Sequence, residues 1–364
     1  MTFYRPTLPS VIAAAALVAG GGCGEPSEPP LIAFAGAIPY HDAARLAIAE
    51  AEEAGGLPPF DTLFVVESSN RAEPALAVAE EIVSHPGLVA VVGHANSAAS
   101  ILTAQIYNAR EIIQIAPTST APAYSEVGPW SFRIVPSDAM QGPFLVERLM
   151  DAFPDGARTA LFYVNDDYGR GLRVAARAAL DPERYPVVVD LPHLEGAVTA
   201  QDVQRGIEAL AASAPEVILW LGRPEPLALF LPSIRERWPD TPIYAGDAVA
   251  RALTLQYPRS HWKGVYYSDF VDPTRPEVAA YLDRLRSRTG LEGSGGEVLV
   301  RDAVRILLDA IREGARTSEE IREYLLSLGR ERPRFTGLSG SVAFDSLGDL
   351  RGGGFVLRSL DEVE

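Results

Sequence analysis

Apolar and polar positions along the chain switch repeatedly between two periods. LIAFAGA at 31–37 is a continuous apolar run of strand length, and residues 42–54 then carry apolar positions at helical spacing, with Asp42 placed to cap. The pair recurs as FDTLFVV at 60–66 with a helix over 73–83, and as LVAVV at 88–92 with a helix over 97–109, followed by strand-like 112–116. Further along, a helix opens at 141–150, strands are predicted at 159–164, 187–191, 217–221 and 242–246, and helices at 203–211 and 226–237. Repeated strand–helix–strand units predict an α/β fold of two doubly wound parallel sheets. After Gly264, VYYSDF reads as a strand returning to the first sheet, before helices over 277–288, 298–312 and 319–328 and short closing strands at 341–345 and 355–359.

Size agrees with two cores. The chain has 364 residues, 47% of them hydrophobic, and a single core stops growing near roughly 250–300 residues. A net charge of −16 argues against nucleic acid or an anionic membrane surface as partner, since both select a basic face. Lys263, in HWKGV, is the only lysine, so a phosphate-binding Walker loop, a Schiff base and an S-x-x-K nucleophile have no residue to use. Neither H-E-x-x-H nor G-x-S-x-G occurs, and the histidines at 41, 85, 94, 193 and 261 lack metal-ligand spacing and read as surface or turn residues. No catalytic residue, metal or cofactor is predicted. Gly352 to Gly354 reads as a flexible hairpin turn and EAEEAG at 50–55 as a solvated face.

The first residues precede any foldable pattern. Arg5 supplies a thin positive region, Val11 to Ala19 is an apolar run of secretory length, and Gly20 to Gly22 lead into Cys23, the only cysteine. The run is too short to cross a bilayer. Residues 1–22 are read as a lipoprotein-type signal with Cys23 as lipid attachment point, against the plainer reading of a secreted protein with an incidental cysteine. Residues 23–30 form a Pro-rich tether.

Candidate chemistry concentrates between Gly93 and Leu172. GHANSAAS at 93–100 follows an apolar strand and opens a helix, placing Ser97 at its first turn, where unpaired N–H groups attract an anion. IAPTSTAP at 115–122 repeats the arrangement with Thr118, Ser119 and Thr120. Strand ends on the carboxyl side of a parallel sheet are where ligands bind. Taken alone, each hydroxyl residue reads first as a cap or turn residue.

With FRIVPSDAMQG at 132–142 and NDDYGRGL at 165–172, these blocks resemble, in order and spacing, the type I periplasmic substrate-binding proteins for branched-chain amino acids. The resemblance runs from about Leu31 to the C-terminus. It implies two Rossmann-like lobes joined by a three-stranded hinge: 31–136 with 265–335, and 137–264 with 336–364, crossing near Pro136, Lys263 and Phe335. It also implies that Ser97 and Thr120 hold a ligand carboxylate, that the Ser119 carbonyl and Asp247 meet its ammonium, and that Tyr168 covers it, with Gly169 allowing the turn behind. Tyr40 would add an aromatic wall, and Asp138 and Gln141 would serve as hinge and helix-capping residues. Ala95 and Asn96 depart from the pattern in a way that implies a wider or more polar side-chain pocket, and Arg301 replaces a usual tyrosine.

Two functions follow from that resemblance. One is an extracytoplasmic solute-binding lipoprotein of the periplasm or cell envelope, lipid-anchored to a bacterial membrane, which passes an amino acid or similar zwitterion to an ABC transporter permease. The other is a ligand sensor or scaffold of the same fold that acts on an envelope partner without transport. An enzyme of this fold comes third.

Overall fold

The computed structural model describes residues 29–66, 72–194, 197–254, 259–290 and 293–361. Cys23 and the signal-like segment lie outside the described residues. The first sheet contains β1 (Leu31–Gly36), β2 (Asp61–Val66), β3 (Leu88–Val92), β4 (Ile113–Ala116) and β5 (Ser131–Arg133), all parallel, in the order β2-β1-β3-β4-β5. Between them run α1 (Ile38–Glu53), α2 (Ala72–Ile82) and α3 (Ser97–Asn108). The chain then enters α4 (Asp138–Ala152) and builds β6 (Thr159–Val164), α5 (Asp167–Ala179), β7 (Val187–His193), α6 (Ala200–Ser213), β8 (Val217–Leu221), α7 (Pro224–Arg237), β9 (Ile243–Ala245) and β10 (Val265–Asp269). Three helices follow, α8 (Pro276–Thr289), α9 (Gly295–Arg312) and α10 (Ser318–Ser327), then a hairpin of β11 (Phe335–Gly337) and β12 (Gly340–Val342), and last β13 (Val356–Ser359). The second sheet runs β13-β10-β9-β8-β6-β7, with β13 alone antiparallel.

Alternation along β1 explains why its sequence is apolar throughout. Ile32 and Phe34 join a core with Ala43 and Ala47 of α1 and Leu299 and Val304 of α9, whereas Ala33 and Ala35 face Ala79 and Ile82 of α2 and Tyr107 of α3. A parallel strand covered on both faces leaves no polar side to read. The second lobe repeats the device: Ala160 and Phe162 pack on Ile207 and Phe230, and Leu161 and Val164 on Leu145 and Leu172.

The helix starts at α6, α9 and α10 were written in the sequence as capping boxes, Thr199 with Asp202, Ser294 with Glu297 and Thr317 with Glu320. Asp42 differs from expectation. The first helix begins four residues earlier, at Ile38 with Pro39 in its opening turn, so Asp42 lies inside it and pairs with Arg45 at 3.3 Å. Proline pre-sets the backbone for the first turn and needs no side-chain cap.

Two of the three expected crossings are also displaced. The first falls between β5 and α4, near Pro136. The second was expected at Lys263, but Val265–Asp269 pairs in register with β9 in the second sheet, and the chain leaves only afterwards, where Val271 packs on Leu46 and Tyr281. The third was expected near Phe335, yet Val342, Ala343 and Phe344 remain in the first core and the Gly348 carbonyl accepts from the Arg133 N–H at 3.0 Å. Crossing follows Asp349 and ends at β13. The alternation that marks these residues as strand is indifferent to which sheet takes them.

Candidate ligand-binding cleft

Each polar block of the sequence sits at a strand's carboxyl end. After β3 the chain turns into α3, whose N-cap is Asn96, its side chain accepting from the Ala99 N–H at 2.9 Å. The Asn96 side-chain oxygen is therefore engaged by the helix end. Ser97, the first helical residue, is buried and its Oγ accepts from the Ala121 N–H at 3.2 Å, tying the β3 loop to the β4 loop. Thr118 does the same by donating to the Ala95 carbonyl at 3.0 Å, and Ser119 by donating to Ser100 Oγ at 2.7 Å. Thr120 is fully buried, and its Oγ1 has no hydrogen bond of normal geometry among the described residues. A buried hydroxyl left this way lacks what water would have given it.

From the second lobe, Asp247 follows β9 and is half-buried against Tyr168 and Gln141. Tyr168 Oη donates to Asp247 Oδ1 at 3.0 Å, and Gln141 Nε2 donates to the same oxygen at 2.8 Å. Burial pushes the Asp247 carboxyl up to about 6; the two hydrogen bonds and the Arg223 charge oppose that, and Asp269 adds to it. Tyr168 is held by α5, which Asp166 caps by accepting from the Gly169 N–H at 2.9 Å. A Cβ on Gly169 would lie 2.0 Å from the Val164 carbonyl oxygen, so only glycine allows this turn.

Asp138 and Gln141 do more than shape a hinge. Ser137 is the N-cap of α4, accepting from the Ala139 N–H at 3.3 Å, while Asp138 is already helical and fully buried. Its N–H donates to the Thr120 carbonyl at 2.8 Å, a direct link between the lobes, and its carboxylate oxygens have no hydrogen bond of normal geometry. Burial raises the Asp138 pKa well above the carboxylate range and nearby Asp247 raises it further, with the adjacent Thr120 hydroxyl and Arg133 offsetting part. Two carboxyls with few counter-charges thus lie close enough to raise the pKa of Asp138.

Arg223, missed in the sequence, follows β8 after Gly222, occupies the N-cap position of α7 and donates to Asp166 Oδ2 at 3.2 Å, its guanidinium 5.8 Å from the Tyr168 ring centre. Its signal in the sequence is a charged residue two positions past the apolar strand VILWL, at a strand's carboxyl end. Tyr40 stands at the carboxyl end of β1, beside Gly36 and close to Gly296 in the first turn of α9. Three histidines expected at the surface are buried: His41, His94, which bonds Tyr107 Oη at 3.0 Å, and His193, stacked on Trp220 with ring centres 5.1 Å apart. Burial lowers His41 and His193 to about 4, so both are neutral packing residues near pH 7. Glu50, expected on a solvated face, pairs with Arg284 at 3.1 Å and Arg301 at 3.2 Å.

Two doubly wound lobes, linked by three crossings and facing each other with polar side chains at their strand ends, define a two-lobed binding protein. The chain belongs to the periplasmic binding protein family, whose model matches residues 32–348. It is 25% identical over 367 residues to Leu/Ile/Val-binding protein homolog 1 of Brucella abortus, covering 97% of this chain and 95% of that one. It is 27% identical over 332 residues to an amino acid binding protein of Pseudomonas aeruginosa, covering 89% and 85%. Its fold matches the crystal structure of a branched-chain amino acid transporter substrate binding protein from Streptococcus pneumoniae in complex with isoleucine, with a TM-score of 0.79 at 20% identity over 93% of this chain and 98% of that one.

Proposed function

We propose that this protein is an extracytoplasmic solute-binding protein that captures an amino acid or a similar small zwitterion between its lobes and delivers it to an ABC importer. The observation that carries the reading is the pairing across the cleft: hydroxyls and a helix N-terminus on one lobe, and on the other a poorly neutralised carboxyl pair, Asp138 fully buried and Asp247 half-buried. The Thr120 hydroxyl, the Ser97 hydroxyl and the first N–H groups of α3 suit a ligand carboxylate. Asp247 suits the ammonium, because a cation arriving there supplies the counter-charge that burial has withheld. Tyr168 and Gln141 hold Asp247 in place while this happens. The Ser119 carbonyl is a second acceptor for the ammonium.

Closure follows from the same chemistry. A ligand touching one lobe gains half of these contacts, and only the closed arrangement offers both sets, so binding draws the lobes together about the crossings. A permease that recognises the closed form then receives loaded protein selectively. The branched-chain names of the relatives support an amino acid as cargo, and the lipoprotein-like start supports lipid anchoring at Cys23 in the cell envelope. A thermal-shift screen of the amino acids tests the reading: a ligand that binds the native state raises the melting temperature by mass action. Absence of any shift across the set would favour the sensor or scaffold reading.

A further inference from the structure

A second cavity lies in the first lobe, lined by none of the cleft residues named above, and it is lined by arginines. Arg301, Arg305 and Asp309 recur every four residues on one face of α9, with Glu313 just beyond; Arg332 and Arg334 face them from the segment after α10. Together they border a cavity of about 380 Å³, floored by Tyr324 and Leu328 and walled by Phe335. Charge within it does not balance. Glu313 accepts from Arg332 at 2.9 Å, and Asp309 is taken by Arg312. Arg301 is engaged by Glu50 at 3.2 Å and Asp302 at 2.9 Å. Among the described residues Arg334, which is exposed, donates to the Arg351 carbonyl at 2.8 Å, and the Arg305 Nε is buried with no hydrogen-bond partner. Among the described residues neither Arg305 nor Arg334 has a carboxylate within ion-pairing distance. Two guanidinium groups without a carboxylate partner, the one on Arg305 partly buried and the one on Arg334 exposed at the rim, border one cavity in a chain with a net charge of −16.

We propose that this cavity binds a small phosphorylated polyanion, held by Arg305 and Arg334 with Arg301 and Arg332 as flanking charges. A guanidinium presents its N–H groups in a planar fork that matches phosphoryl oxygens, and two forks from different elements select a ligand with more than one anionic oxygen. The volume is near the lower end of small-molecule sites, roughly 300–1,000 Å³, so the ligand is compact or only its headgroup enters. The Tyr324, Leu328 and Phe335 side accommodates an apolar portion. Both a soluble phosphorylated metabolite and an anionic lipid headgroup carry this chemistry.

The test is calorimetric titration of the full mature chain with pyrophosphate at low ionic strength, beside the R305A/R334A variant. Saturable binding that weakens roughly tenfold or more in the variant, while cleft affinity for an amino acid is unchanged, is the expected result. R305Q, which preserves side-chain bulk, serves as second variant should the double variant fold poorly. No saturable binding of pyrophosphate, or equal binding to wild type and both variants, overturns the proposal. Sedimentation with phosphatidylglycerol vesicles then separates the sources: capture that pyrophosphate displaces and R305Q abolishes assigns a lipid headgroup, and pyrophosphate binding without capture assigns a soluble ligand.

Discussion

Tyr168 and Gln141 both donate to one oxygen of Asp247, at 3.0 and 2.8 Å, and the other oxygen, Oδ2, receives no hydrogen bond among the described residues. Two donors on a single oxygen fix the carboxyl plane and leave one oxygen for an incoming cation. The expected consequence is that Asp247→Ala weakens amino-acid binding by roughly a hundredfold, since a hydrogen bond to a charged group contributes about 1.5–3 kcal/mol and a stranded ammonium costs more. Calorimetric titration of the variant checks this; unchanged affinity would remove Asp247 from the ligand.

Stability should respond in the opposite sense. The pKa of Asp247 rises from 3.8 to about 6 on folding, so folding favours the protonated acid: that stabilising contribution is complete below the unfolded pKa and is lost as pH climbs through about 6. Asp247→Asn is always neutral and keeps an acceptor oxygen for both donors. It should stabilise the unliganded protein at pH 7.5 by an amount on the order of 3 kcal/mol, with the advantage gone near pH 4. Urea midpoints at the two pH values read the difference directly.

The same ionisation governs ligand uptake. An ammonium group selects ionised Asp247, so affinity should be level above about pH 7 and fall by up to about tenfold per pH unit as acid protonates the site below its pKa near 6. Binding near pH 5.5, measured in buffers of different ionisation heat, should reveal protons released on association, with the release fading by about pH 7. A flat profile between pH 5 and 7 would mean that the cation does not meet this carboxyl.

Contact between the lobes offers a different handle. Gly171, on α5, faces Pro122 of the β4 loop so closely that an added Cβ would stand 2.8 Å from the Pro122 ring carbon Cδ. Gly171→Ala should favour the helix by up to about 1 kcal/mol while obstructing lobe approach. The expected outcome is weaker amino-acid binding, several-fold or more, in a protein no less stable than wild type, with a larger radius by small-angle scattering when ligand is present. Equal affinity would show that closure does not bring these two surfaces together.

Much of this arrangement was legible in the sequence because the strands are wholly apolar and the loops between them polar. The α/β class and both parallel sheets follow from that contrast, while Ser97, Thr120, Tyr168 and Asp247 were singled out by the motifs shared with the resembled family. What escaped was information carried by partners distant in the chain. Val265–Asp269 has the pattern of a strand in either sheet, and only its pairing with β9 decides. Asp138 and Gln141 looked like residues of a helix start, and their placement beside Asp247 depends on how α4 lies against β9. Arg301 stood out only as a replacement for a usual tyrosine, and its sharing of a cavity with Arg305 depends on the segment at 332–336 packing beside α9.

The claim at the centre is that a dipolar ligand is held by its amine on Asp247 and by its acid on the opposing lobe. Titrating the amino acid that gives the largest thermal shift, and then its N-acetyl derivative, isolates the amine end without altering the protein. The account predicts saturable heat for the free amino acid and affinity at least a hundredfold weaker for the acetylated one. Comparable affinity for both would contradict it.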